Sequence, residues 1–307
     1  MIAMTALLVQ LLLPSTTTAS VAASPAPAAV QVLSDAAKQP EELGEVNWLR
    51  NYDQALKQSA KLNKPVLILF QEVPGCGNCK QYGNGVLSEP LMVEAIEDLF
   101  VPLAIHNNAK GHDAEVLERF GEPAWNNPVV RIVDEAGDDL ADRVANFRSP
   151  AQLSAAIVSV LRRSGAEVPH YLRLAHEQHL AEEQATKTAT FQTACFWSGE
   201  AFFGSRDEVV KTEAGWQDGR EVVRVEFREA SSEAQQDLAN AAEKKGYRAV
   251  SNGNFRLDRE PKYYLLHSKF ASLELSELQA SRVNSLLGQG RDPSALLSPR
   301  QLRQLQG

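Results

Sequence analysis

The chain has 307 residues, 44% of them hydrophobic, and a formal net charge of −8, which is enough apolar material for the cores of two modest domains. The acidic balance and the lack of a basic stripe argue against a nucleic-acid binder, which needs a positive face to displace counterions from phosphate. Its three cysteines, Cys76, Cys79 and Cys195, are too few for a disulfide-stapled scaffold and suggest working sulfur; the plainer alternative is one local disulfide and one buried thiol.

Taken in chain order, residues 1–23 read as a signal peptide. An apolar run is followed by Ser, Thr and Ala, although no Lys or Arg precedes the run. The run is short for a membrane span, and no later segment is apolar enough for one. Residues 24–45, rich in Ala, Ser, Pro and Gln, read as a disordered linker. Leu49, Tyr52, Leu56 and Ala60 then recur with helical spacing, and Asn63-Lys64-Pro65 ends the helix. Residues 66–70 are continuously apolar, as a strand buried on both faces should be. The motif Cys76-Gly77-Asn78-Cys79 follows directly, in a helix that Gly83 and Gly85 weaken. Ser88-Glu89-Pro90 starts the next helix, residues 100–105 form a strand, and residues 114–120 form a short helix. Residues 129–133 and 140–145 flank a turn and predict a hairpin. Ser149-Pro150 opens a closing helix that stops at Gly165. Residues 46–165 thus read as a βαβαββα domain of α/β class.

Residues 166–187 predict a helical connector. Its His170, His176 and His179 read as solvated rather than metal-binding. Residues 188–268 predict a small α+β domain, with strands at 188–192, 209–216, 221–227 and 247–250 and helices at 195–203 and 231–245. Residues 269–307 predict a helical tail whose leucines pack on the chain's own core, with docking of a partner as the alternative.

Two cysteines spaced by two residues after a buried strand place the first sulfur at a helix N-terminus, where unpaired N–H groups and the dipole favour the thiolate. Cys76 is therefore the nucleophile candidate and Cys79 the resolving thiol. A zinc site would need four ligands and no second pair exists, so neither a metal nor another cofactor is expected. Trp48-Leu49 with Tyr52, the Asn63-Lys64-Pro65-Val66-Leu67 lead, Cys76 and Cys79 with Lys80, residues 86–90, and Pro128 before Val129 together resemble the thioredoxin superfamily. The resemblance implies that Pro128 is a cis-proline facing the motif. Val73-Pro74-Gly75 replaces the usual aromatic lead and is similar to a branch of bacterial thioredoxin-like proteins. The family's buried acid has no counterpart at Leu69 or Phe70, which leaves Glu72 as a candidate proton acceptor.

Ala194-Cys195-Phe196-Trp197 with Glu200 places a second cysteine at the opening of a helix beside aromatic residues. This stretch, with Ala214-Gly215-Trp216 and residues 221–227, resembles the A-type peptide methionine sulfoxide reductases in shortened form. The resemblance implies that Cys195 attacks a sulfoxide sulfur, Phe196 and Trp197 cradle its methyl group, and Glu221 protonates its oxygen. The family's insertion bearing a substrate-binding tyrosine is missing, and no resolving cysteine follows Cys195.

The leading expectation is an exported (periplasmic or extracellular) thiol-disulfide oxidoreductase acting on protein thiols or disulfides, recharged by an electron-donor protein, with relay to Cys195 as an option. The alternatives are a sulfoxide reductase for oxidised methionine with a built-in reductant, and a non-catalytic binding or assembly factor.

Overall fold

Residues 65–71 show how the first half is organised. Pro65 opens β1 (Val66–Gln71), buried along its whole length, as a strand covered on both faces must be. In this computed structural model the described residues are 39–75, 77–125, 128–145, 149–228, 232–251 and 253–306. The expected signal peptide, most of the expected linker and Cys76 lie outside them. Before β1 comes α1 (Tyr52–Leu62), capped by the Asn51 side chain and closed by Asn63 in a left-handed conformation, φ 52°. After β1 come α2 (Gly77–Gly85), α3 (Pro90–Leu99), β2 (Val101–His106), α4 (His112–Phe120), β3 (Val129–Val133) and α5 (Pro150–Arg163). The sheet order is β2-β1-β3, with β1 parallel to β2 and antiparallel to β3.

Three expectations are corrected here. Leu49 is not in the first helix: Asn51 caps the helix after it, and Leu49 instead bridges Leu103. Residues 140–145 are not a strand. Only Val130↔Val144 and Val133↔Asp139 pair, and the unequal spacing loops two extra residues out and breaks the ladder. The linker expectation also fails for residues 39–45, because Glu41–Leu43 form a short 3-10 turn with Glu42 and Leu43 buried. Trp48 Nε1 donates to the Leu43 carbonyl at 2.8 Å, and Gln39 Nε2 donates to Gly44 and Val46 carbonyls at 2.7 and 3.0 Å.

Helix α6 (His170–Glu183) packs against α3 and α5, and its Tyr171, Leu172 and Ala175 join the first core. The expectation of solvated histidines is corrected for two of the three. His176 and His179 each reach the Ser154 hydroxyl through Nδ1, at 2.8 and 3.2 Å, while His170 is exposed.

The second half comprises β4 (Thr186–Gln192), α7 (Phe196–Phe203), β5 (Val209–Gln217), β6 (Arg220–Arg228), α8 (Ser232–Lys244), β7 (Arg248–Val250) and β8 (Phe255–Leu257). The sheet order is β7-β4-β6-β5-β8, and each neighbouring pair is antiparallel. The order βαββαβ on this sheet gives two interleaved split βαβ units, a ferredoxin-like arrangement, with β8 added on the β5 edge. Asp218 and Gly219, both with positive φ, make the two-residue turn that a twisted hairpin between β5 and β6 requires.

The remaining helices are α9 (Tyr263–Leu266), α10 (Glu277–Gly288) and α11 (Pro299–Gln304). Arg282 on α10 donates to the carbonyls of Gly204, Asp207 and Val209 at 2.6, 3.2 and 3.1 Å. At the other end of the segment, Arg300 pairs with Glu97, and its N–H donates to Glu94 Oε1 at 2.7 Å. The segment therefore ties the α7–β5 connection to α3. No helix among the described residues is long and apolar enough to cross a membrane.

Candidate functional site

Cys79 sits in the first turn of α2, with 0% of its surface exposed. Gly75 lies directly on it: a Cβ built at Gly75 would stand 2.8 Å from Cys79 Cβ and 3.1 Å from its Sγ. The Val73-Pro74-Gly75 lead thus needs glycine at its end, and it is fastened from two sides. Asn108, just beyond β2, accepts the Val73 N–H through Oδ1 and donates from Nδ2 to the Pro74 carbonyl, both at 3.2 Å. From the other side Glu42 Oε1 accepts the Gly75 N–H at 2.8 Å. Gln71, wholly buried at the end of β1, donates from Nε2 to the carbonyls of Glu42 and Cys79.

Glu42 is the residue that sequence reasoning missed. It is 3% exposed, whereas Glu72, the expected proton acceptor, is only half-buried. Its position in a stretch read as a flexible linker hid it, and the local sequence carries no periodic signal of its burial. Pro128 is buried immediately before β3. Because Val129 pairs with Phe70, Pro128 stands at the same end of β1 as the cysteine motif. The peptide bond before it involves Asn127, outside the described residues. Trp125, in the loop leading to it, is 82% exposed.

Cys195 is the N-cap residue of α7, partly exposed and not in a disulfide. Glu221 on β6 is brought to it by the sheet: the Thr193 N–H donates to the Glu221 carbonyl at 3.0 Å, and the Phe196 N–H donates to Glu221 Oε2 at 2.8 Å. A carboxylate at the first N–H groups of a helix is favoured by the dipole. Here that places it one residue from the thiol. The structure therefore brings together Cys195, Glu221, Phe196 and Trp197.

The aromatic cradle is enclosed by further rings. Phe196 meets Trp197 and Trp216 edge-on at 5.5 and 5.3 Å, while Tyr263 stacks on one face of Trp197 at 4.0 Å. The family's tyrosine-bearing insertion is absent from this chain. Burial, and then the electrostatic interaction with Cys195, raise the pKa of Tyr247, which lies just before β7. Glu200, further along α7, is wholly buried and accepts the Lys262 N–H at 2.7 Å. Burial pushes its carboxyl up to about 7, against the charge and N–H of Lys262.

Among the described residues no group of three or more His, Cys, Asp or Glu side chains is placed to hold a metal ion. Residues 47–135 match a family model described as thioredoxin-like. The match runs from just before α1 to the residues after β3 and takes in both Cys76 and Cys79. These residues form a thioredoxin-like domain in a mixed α/β chain. No curated protein matches the chain.

Proposed function

We propose that the chain is an exported thiol-disulfide oxidoreductase in which Cys76 and Cys79 cycle between dithiol and disulfide. The observation that carries this reading is the position of Cys79, buried in the first turn of the helix after β1, within the residues that match the thioredoxin-like model. The helix N-terminus lowers the cost of a thiolate at Cys76. In the reducing direction the Cys76 thiolate attacks one sulfur of a protein disulfide. A Cys76–substrate bond forms, and the other substrate sulfur leaves as a thiolate that takes a proton from water. Cys79 then gives up its proton and attacks Cys76 sulfur, the mixed disulfide breaks, and the second substrate sulfur leaves as a thiol. The substrate gains two electrons and two protons; the chain is left with a Cys76–Cys79 disulfide for an electron-donor protein to reduce. We assign the Cys79 proton to Glu42, the buried carboxylate that accepts the N–H of Gly75, the residue packed on Cys79. Export rests on the first 23 residues alone.

The test is reduction of insulin disulfides by dithiol-charged protein. The intact chain is expected to precipitate insulin chains, and Cys76→Ser is expected to fall to background. An unchanged rate in Cys76→Ser would remove the reading.

The bond from Phe196 N–H to Glu221 favours a second reading, reduction of methyl sulfoxides at Cys195. The Cys195 thiolate would attack the sulfoxide sulfur and Glu221 would protonate the oxygen. A thioether leaves, and Cys195 is left as a sulfenic acid. The Cys76/Cys79 dithiol would return it to a thiol, releasing water and forming their disulfide. This reading predicts turnover of a methyl sulfoxide by the intact chain and none by Cys195→Ala. Equal rates in the two proteins would refute it.

A further inference from the structure

A cavity of about 610 Å³ lies between the end of α2, the head of α3 and one face of α6, and none of its lining residues belongs to either thiol site. Ala175, Gln178, His179 and Glu182 form one wall, recurring at the three- and four-residue steps that share a helical face. Glu89, the N-cap of α3, contributes a second carboxylate.

The charge balance of this cavity is one-sided. Glu89 and Glu182 are the charged side chains in its lining, and both are acids. Glu89 accepts the N–H groups of Leu91 and Met92 at 3.2 and 2.6 Å, and Glu182 accepts the Gln178 amide at 3.0 Å. Neither is paired with a lysine or arginine among the described residues. Burial, opposed by the Met92 and Leu91 N–H bonds and aided by the charge of Glu182, leaves the Glu89 carboxyl above its ordinary range.

His179 adds an independent observation. It is 5% exposed, and its ring is fixed by the hydroxyl of Ser154, which has a single proton to give. We assign that proton to the Ala151 carbonyl, at 3.1 Å. With that assignment, His176 Nδ1 at 2.8 Å and His179 Nδ1 at 3.2 Å meet Ser154 Oγ as ring N–H donors. Burial holds both imidazoles below their ordinary pKa, which favours the neutral rings. A neutral ring protonated at Nδ1 keeps a lone pair at Nε2. In His179 that atom makes no hydrogen bond among the described residues, on a side chain that lines the cavity. Among the described residues the lining therefore presents two carboxylates and the His179 ring, and no cation.

We propose that this cavity binds a small organic cation carrying a primary amine or guanidinium group. Such a group brings several N–H donors and a positive charge to acceptors that are otherwise underused. The volume suits a molecule of that size.

The experiment is calorimetric titration of the full chain with agmatine and with spermidine, using a neutral diol of similar length as control. At least one cation is expected to bind saturably, one per chain, with a Kd of about 1 mM or tighter. Glu182→Gln, an exposed position where the fold should survive, is expected to weaken binding about tenfold. His179→Gln is expected to weaken it as well, provided its circular dichroism matches the parent. Failure of both cations to saturate, equal binding of the diol, or unchanged affinity in Glu182→Gln would overturn the proposal; the last outcome would mark general attraction to an acidic chain.

Discussion

Gly83→Ala is expected to lower the stability of the chain by about 2 to 3 kcal/mol, the cost of forcing extra volume into a close-packed contact. On helix propensity alone the change should help, by roughly 1 kcal/mol. Packing decides otherwise. A Cβ at Gly83 would collide with the Glu41 carbonyl oxygen and stand 2.7 and 2.8 Å from the carbonyl carbon and oxygen of Glu42. These are backbone atoms, which cannot swing aside as a side-chain tip would. The Glu41–Leu43 turn would have to retreat from α2, withdrawing Glu42 from the Gly75 N–H. Gly85, two residues on in the same helix, is the internal control: nothing lies within 4 Å of a Cβ there, so Gly85→Ala should be neutral or slightly stabilising. Urea unfolding of both variants checks the pair. Equal stability of Gly83→Ala and the parent would contradict the packing of the turn on α2.

The second large effect is a pH dependence set by Glu200. Its carboxyl is raised by burial to about 7 in the folded chain, from an ordinary value of 4.5. The folded state therefore holds a proton that the unfolded state has released. The resulting stability is fully present below pH 4.5 and is lost as pH rises through about 7. A shift of this size corresponds to about 3 kcal/mol. Glu200→Gln cannot titrate, so the stability difference between the parent and this variant should change by about that amount across the window and level off above it. Denaturant unfolding at a series of pH values measures it. A difference that stays constant with pH would show that Glu200 is ionised when folded.

Much of the architecture was legible because it is locally encoded. The apolar run at residues 66–70 carries no alternation and is buried throughout as β1. Ser149-Pro150 starts α5, with the serine capping the helix. The strand and helix order expected over residues 188–250 matches the structure. Most of the misses depend on distant partners. Glu42 is buried only because Gly83 lets α2 approach its turn, and nothing near residue 42 announces that. Leu49 fits the helical spacing but loses its place because Asn51 caps first. Residues 140–145 have strand-like composition, yet the ladder breaks, and Arg143 reaches Glu122 with Nε and Nη2 at 2.7 and 2.8 Å.

At the candidate sites, residue types and spacing pointed to the cysteines, and the fold supplied what surrounds them. Glu221 is 26 positions from Cys195 in the chain, and the β4–β6 pairing carries it to the head of α7. Tyr247 and Tyr263 approach from elements outside the cysteine motif, so no motif spacing foretells them. The resemblance of that motif implied a cradle of Phe196 and Trp197; stacking of Tyr263 on Trp197 closes one of its faces. A methyl group approaching from that side would require Tyr263 to move.

The central claim is that the Cys76/Cys79 pair cycles. The measurement that tests it most directly is the reduction potential of that pair in the intact chain, read by equilibration with glutathione or dithiothreitol buffers and mass spectrometry of alkylated protein. A working pair is expected between about −120 and −270 mV, the span of known thiol-disulfide catalysts. A value below about −300 mV would mark a structural disulfide. That result would contradict the oxidoreductase reading and favour a binding or assembly role for the thioredoxin-like domain.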